Sequence, residues 1–332
     1  MTTDTNWRVL FVMDPLESLA LKKDSTLAMI RAAAARGWSV AVCEQQDLGL
    51  HAGEVRVHAR TIDLREDFLA ALDVQVLNGD HRPANWCTLG ASTHQNVASF
   101  DVVLMRKDPP FDMEYIYSTY LLERAEAAGV RVINKPQSLR DCNEKFFATA
   151  FAEVCPPLIV ARRMEDLTAF AKAEGNVVFK QLDGMGGKSV FRVLEGDANL
   201  KVILETLTNG GQQQIMGQRY LPEIADGDKR ILLIDGEPVP YALARIPALG
   251  EARGNLAAGG TGEGRPLTDR DQQIAALVGP ELKRRGLRFV GIDVIGDYLT
   301  EVNVTCPTCI RELDAQFSLD IGAMLMERIA AD

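Results

Sequence analysis

Short apolar runs separated by segments of helical period dominate the first third of the chain. The run at 9–13 predicts a strand, Ser25 an N-cap for a helix over 26–36 that Gly37 closes, and 38–43 a second strand. The order repeats with a strand over 101–106, a helix over 113–128 ended by Gly129, and a strand over 130–133. Strands and helices in alternation describe an open α/β unit, assigned to 1–135. Between them, 82–99 is polar without either period and is expected to be an irregular surface loop.

After Pro136 the elements shorten. A helix over 141–151 precedes strand 158–161, helix 165–174, strand 177–180, a glycine loop, strand 190–193 and helix 198–207. This is the pattern of a small α+β sandwich, assigned to 136–222. The last unit, 223–332, opens with two apolar runs around Asp235-Gly236, a strong hairpin signal. A polar, glycine-rich stretch follows, and a helix begins near Asp269. There is no internal repeat and no low-complexity segment.

Composition narrows the possibilities. A chain of 332 residues holds two or three compact units with ample core. Its 36 basic and 46 acidic residues leave a net charge of -10, which argues against a nucleic-acid surface but allows a local cationic pocket. The first residues lack a basic leader and no apolar run approaches a membrane span, so a cytoplasmic protein is expected. The cysteines at 43, 87, 142, 155, 306 and 309 form no disulfide framework. Cys306 and Cys309 have the redox spacing, but they follow a strand outside any thioredoxin-like unit, and zinc would need two more ligands.

The chemistry concentrates late in the chain. Asp293, Glu301 and Asn303 sit on two apolar runs joined at a Gly-Asp turn, oxygen donors suited to partly hydrated Mg²⁺ bridging phosphates. Glu301 and Asn303 share a strand face; Asp293 joins them only if the register allows it. A three-residue loop from Gly296 to Tyr298 is expected, which sets Asp293 opposite Glu301, whereas a two-residue turn would set it opposite Thr300 and split the site. Lys180 precedes a loop with Gly184, Gly186 and Gly187, whose backbone N–H groups suit phosphate oxygens. The loop ends like a Walker A motif, yet Leu182 occupies the first glycine position and a strand follows, so a P-loop is rejected. The polar stretch within 246–264 reads as a lid, which excludes water from an intermediate that hydrolyses. Arg230 and Arg245 lie at opposite ends of the Asp235-Gly236 hairpin, paired cations for a phosphoryl group in transfer.

These residues, with Val12-Met-Asp-Pro15, Met105-Arg-Lys-Asp-Pro-Pro-Phe111, Asn134-Lys-Pro-Gln-Ser-Leu-Arg-Asp-Cys-Asn-Glu-Lys145, Asp226-Gly-Asp-Lys-Arg230 and Arg253-Gly-Asn-Leu-Ala-Ala-Gly-Gly260, resemble the bacterial type of glutathione synthetase. The resemblance covers nearly the whole chain. It implies an ATP-grasp fold behind an N-terminal Rossmann-like domain. It also implies ATP-dependent joining of γ-glutamylcysteine and glycine through an acyl phosphate, and a homotetramer. By matching position, Lys145 and Lys180 would reach the nucleotide and Gly184, Gly186 and Gly187 would cover its phosphates. Gln218, Tyr220 and Leu221 would line the adenine, Asp228 would lie near the ribose, and Asp293, Glu301 and Asn303 would hold Mg²⁺ or Mn²⁺. Catalysis would fall to Lys180, Arg230 and Arg245, with Arg106 and Arg311 as substrate-carboxylate contacts. Lys188 and the two cysteines depart from the family pattern, and none removes a ligand. A ligase for another acid and amine, or an ATP-binding regulator without turnover, are the competing readings; the intact metal and arginine set argues against the regulator.

Overall fold

The computed structural model describes residues 6–65, 86–187, 189–248 and 259–331. Among them the chain forms three sheets. The first builds on Arg8–Val12 (β1), Ser39–Cys43 (β2), Leu48–His51 (β3), Glu54–Leu64 (β4), Cys87–Leu89 (β5), Thr93–Asn96 (β6), Val102–Met105 (β7) and Arg131–Ile133 (β8). β2, β1, β7 and β8 lie side by side and parallel, as apolar runs with connecting helices require, and β4 continues the sheet antiparallel beyond β2. The helices Ser25–Ala35 (α1) and Met113–Ala127 (α2) make the connections.

Two expectations change here. The cap of α1 is Asp24, whose carboxylate accepts the Leu27 N–H at 2.7 Å, while Ser25 is the first helical residue and buried. The stretch expected to be irregular contains β5 and β6, both paired to the long strand β4; residues 82–85 lie outside the described residues. Their side chains are mostly polar because these strands flank a solvent-facing ribbon, where the apolar signal of a core strand is missing.

After β8 an unexpected helix, Pro136–Asp141 (α3), comes first, and the span expected as one helix over 141–151 is Glu144–Ala148 (α4) followed by a 3-10 turn over Thr149–Val154. The break at Cys142-Asn143 is made by Asn143, whose Oδ1 caps α4 by accepting from the N–H groups of Lys145 and Phe146. The second sheet comprises Leu158–Ala161 (β9), Asn176–Gln181 (β10), Val190–Leu194 (β11) and Ile215–Arg219 (β12), antiparallel in the order β11, β10, β12, β9. Met164–Glu174 (α5) and Leu200–Leu207 (α6) cover one face around Phe179 and Leu204.

The third sheet holds Asp228–Ile234 (β13), Glu237–Ile246 (β14), Thr261–Pro266 (β15), Phe289–Ile295 (β16) and Tyr298–Asn303 (β17), all antiparallel in the order β15, β14, β13, β16, β17. The segment expected to be a lid is therefore part strand: β14 extends to Ile246, β15 begins at Thr261, and 249–258 lies outside the described residues. Asp235 and Gly236 form the predicted two-residue hairpin turn, with φ of 52° and 83°. This turn meets the helix Asp269–Arg284 (α7) backbone to backbone. A Cβ on Gly279 would stand 2.1 Å from the Gly236 carbonyl oxygen.

The β16–β17 connection departs from the expected three-residue loop. Ile295 pairs with Tyr298 across a two-residue Gly296-Asp297 turn, which by itself would pair Asp293 with Thr300. A register shift restores the pairing of Asp293 with Glu301: the bulge inserts one residue on β17, and Thr300 Oγ1 donates to the Asp293 carbonyl at 3.1 Å. The outcome matches the expectation by a different route.

The helices Ile310–Phe317 (α8) and Ile321–Ala330 (α9) end the described chain, and α9 returns to pack on α1 of the first unit. Asp314 ties the two together by accepting the Ile321 N–H at 3.0 Å.

Two stability outcomes follow from this packing. Gly279→Ala gains helix propensity yet is expected to lower the unfolding free energy by about 1–3 kcal/mol, because the added methyl meets the Gly236 backbone. Urea denaturation that showed a gain would mean that the turn and helix do not touch in this way. Burial raises the Asp314 carboxyl to about 7. The fold thus binds this proton more tightly than the unfolded chain, and the stability it contributes at acid pH is lost as pH rises toward that value. Asp314→Asn keeps the acceptor for Ile321 and is expected to melt higher than the parent at mildly alkaline pH, with the gain vanishing in acid. Parallel melting curves at all pH values would refute the assignment.

Candidate active site

Strand register builds the centre of the site. Arg230 on β13 lies opposite Asp293 on β16, which lies opposite Glu301 on β17, so the three share one face in a single row. Asp228, two residues before Arg230, lies opposite Arg245 on β14 and faces the same way. Flanking positions such as Ile231, Ile292, Val294 and Val302 point to the other face and are fully buried. Alternation thus sends apolar side chains into the core and charged ones into the crevice beside the second sheet. Gly291 lacks a side chain where the Arg230 stem crosses it; a Cβ there would come within 2.7 Å of Arg230 Cδ.

The charges are paired. Arg230 Nε and Nη2 donate to the two oxygens of Asp293 at 2.5 and 3.0 Å. Arg245 Nη2 donates to Asp228 Oδ2 at 2.6 Å and lies 2.9 Å from Asp293 Oδ2. Burial alone would raise the Asp293 carboxyl, but the two guanidinium groups outweigh it and hold it well below the carboxylate range. Burial dominates at Asp228 instead, lifting it above the usual range despite Arg245.

On β10, Lys180 Nζ donates to Glu301 Oε1 at 3.1 Å, and Lys145 Nζ from α4 lies 3.8 Å from the same oxygen. Burial pushes Glu301 up, and these two ammonium groups bring it below its ordinary value. Asn303 Nδ2 donates to the Gly291 carbonyl at 3.2 Å, which leaves its amide oxygen free of that bond. Thus four buried or nearly buried cations, Lys145, Lys180, Arg230 and Arg245, face three carboxylates.

The glycine loop closes over α4. Asn143 Nδ2 donates to the Leu182 carbonyl at 3.0 Å and Lys145 Nζ to the Gly184 carbonyl at 2.5 Å. Gly186 and Gly187 adopt φ of 61° and 77°; Lys188 lies outside the described residues. A narrow cleft lies between this loop, α4 and the 109–111 segment of the first unit.

The remaining predicted positions spread around this centre. Gln218 is buried in β12 with its Nε2 unpartnered among the described residues, and Asp228 Oδ1 is likewise unpartnered. Tyr220 carries Arg192 over its ring at 3.7 Å, and Leu221 is buried. Arg106 has structural bonds in place of the expected open contact: it is buried, its Nε donates to Thr26 Oγ1 at 3.2 Å and its Nη2 to the Pro307 carbonyl at 3.0 Å. Arg311 is half-buried at the start of α8, where its charge acts on Asp24. Sequence reasoning passed over Asn143 and Glu144. An Asn and an acid immediately before Lys145 are the mark of a helix N-terminus, and that signal was there to use.

Two antiparallel sheets, with Lys180 of one and Lys145 of α4 facing carboxylates of the other, define the ATP-grasp class of ATP-dependent carboxylate-amine ligases. Solved structures agree at the level of fold. The chain is similar to the ATP-grasp ligase PsnB complexed with minimal precursor, Mg and ADP, with a TM-score of 0.59 at 17% identity, covering 98% of this chain and 97% of that one. D-cycloserine synthetase DcsG gives a TM-score of 0.63 at 15% identity, covering 97% and 99%.

Within that class, residues 7–140 match the N-terminal domain of prokaryotic glutathione synthetase and residues 144–318 match its ATP-grasp domain; the chain belongs to the prokaryotic glutathione synthetase family. Glutathione synthetase of Pseudomonas aeruginosa is 59% identical over 324 residues, covering 98% of both chains. That of Vibrio cholerae is 52% identical over 318 residues, covering 96% of this chain and 95% of the relative. The relative from Escherichia coli O157:H7 is 52% identical over 320 residues, covering 96% and 97%. The protein is an enzyme with ATP-dependent glutathione synthetase activity.

Removing one partner from the arginine cluster strands a buried charge. Arg245→Met is expected to lower stability by about 3–5 kcal/mol, measured by chemical denaturation. A loss within experimental error would show that Asp228 and Asp293 do not depend on it.

Proposed function

We propose that the enzyme phosphorylates the cysteinyl carboxylate of γ-glutamylcysteine with ATP and then transfers the acyl group to glycine. The observation that carries the site reading is the pair of unpartnered buried atoms, Gln218 Nε2 and Asp228 Oδ1. Buried polar atoms of this kind are rare without a ligand or water to meet them. They sit on two residues that the resemblance sets at the adenine and the ribose, and a nucleotide supplies both a ring acceptor and a hydroxyl donor.

On this reading ATP occupies the crevice between the second and third sheets. Gln218, Tyr220 and Leu221 receive the base, Asp228 a ribose hydroxyl, and Lys145 and Lys180 the phosphates. The backbone N–H groups of Gly184, Gly186 and Gly187 close over the γ-phosphate. Asp293, Glu301 and Asn303 are hard oxygen donors on adjacent strands, a set that fits Mg²⁺. When bound, the metal would neutralise charge on the phosphate oxygens. Arg230 and Arg245 then offset charge on the phosphoryl group as the carboxylate oxygen attacks phosphorus and ADP leaves. The amine of glycine attacks the acyl carbon and phosphate leaves.

The same proposal divides the chain into a substrate-side unit over 1–135, a central unit over 136–222 and a C-terminal unit over 223–332. It includes a cytoplasmic homotetramer. Exposed Met113, Tyr117 and Tyr120 stand at helical spacing on α2, an apolar face that supports association of copies. No described helix is long and apolar enough to cross a membrane.

ADP release with Mg-ATP and γ-glutamylcysteine, with and without glycine, is expected to need both substrates. Lys180→Ala and Glu301→Ala are each expected to abolish it while circular dichroism stays native. Near-normal turnover in either variant would overturn the site; turnover only with another acid and amine would overturn the substrates.

A further inference from the structure

We propose that Glu144 receives the acceptor amine, its open carboxylate oxygen holding the incoming ammonium and taking the proton that must leave before attack. The inference rests on the ligase reading above and names a residue for its second half. Glu144 opens α4, one residue before Lys145, and lines the narrow cleft between that helix, the glycine loop and the Pro109–Phe111 segment. Its Oε1 accepts from Thr305 Oγ1 at 2.9 Å, which fixes the carboxylate. Its Oε2 has no protein partner among the described residues.

Position makes this oxygen informative. Thr305 lies two residues beyond Asn303, and Gly184 of the same cleft accepts from Lys145, so the cleft abuts the place where the acyl phosphate forms. An amino acid arrives as an ammonium ion with no lone pair to attack. Among the cleft's side chains the other acid, Asp183, is exposed on the glycine loop, where water weakens any ion pair. Glu144 is half-buried, and Thr305 fixes its carboxylate at the cleft wall.

The step balances. Glu144 takes one of the three ammonium protons, and the freed lone pair forms the C–N bond to the acyl carbon. The bond from that carbon to the phosphate oxygen breaks with its electron pair on oxygen. A second proton passes from nitrogen to the departing phosphate, the third stays on the amide, and Glu144 returns its proton to water.

Glu144→Gln keeps the shape and the acceptor for Thr305 but removes the charge. Three readouts on the full chain separate the roles: γ-glutamylcysteine-dependent positional isotope exchange in ATP, kcat/KM for glycine, and hydroxamate formation with hydroxylamine, which is largely neutral near neutral pH. Isotope exchange and hydroxamate formation are expected to persist, while kcat/KM for glycine falls by about 10²–10⁴-fold. Glu144→Asp, which restores the charge, is expected to recover part of the loss. A glycine kcat/KM within about threefold of the parent would overturn the proposal. An equal loss with hydroxylamine, or loss of isotope exchange, would overturn it as well. A parent enzyme inactive with γ-glutamylcysteine and glycine would instead overturn the substrate reading, and this inference with it.

Discussion

The double grip of Arg230 and Arg245 on Asp293 is the interaction on which the third sheet depends. A carboxylate buried this deeply is stable only with partners, and the partners are themselves buried cations that need it. Each member therefore requires the others, and all of them require the register of three adjacent strands, β14, β13 and β16. The bulge at Thr300 extends this constraint to β17, since without it Glu301 would face the opposite side of the sheet from Asp293. Charge pairing of this sort contributes little net stability compared with apolar packing, but it excludes alternative registers, each of which would strand a charge.

Asparagines perform a related task between units. Asn134, buried at the end of β8, donates to the carbonyls of Phe289 and Val304 at 2.8 and 2.7 Å and accepts the Phe289 N–H at 2.9 Å. One amide thus joins the first sheet to the strands that carry Asp293 and Glu301. Asn143 does the same for α4 and the glycine loop, capping the helix with its oxygen and holding Leu182 with its nitrogen. The groups of the crevice are therefore spaced by rigid joints rather than by loop geometry.

Elements with strong periodicity were legible in the sequence, and so was the Asp235-Gly236 turn, because the φ values it needs are those Asp and Gly tolerate. The charged residues of the third sheet were legible as a set, because polar positions at strand spacing within apolar runs have few structural explanations. Three features were not. β5 and β6 escaped because exposed strands lose their apolar alternation. The bulge escaped because a turn and an inserted residue leave the same pairing as a longer loop. The pairing of Arg106 with Thr26 and the Pro307 carbonyl joins residues far apart in the chain, which no local pattern encodes.

The return of α9 to α1 bears on how the chain is made. Leu27 and Ile30 of α1 are buried in a cluster that also contains Ile321, Leu325 and Ile329. On a ribosome the first unit emerges long before those residues exist, so one apolar face of α1 stays uncovered through most of synthesis. Domains emerging early usually fold as they appear. Here α1 waits for a helix translated much later, and the nascent chain must be shielded from its neighbours until α9 arrives.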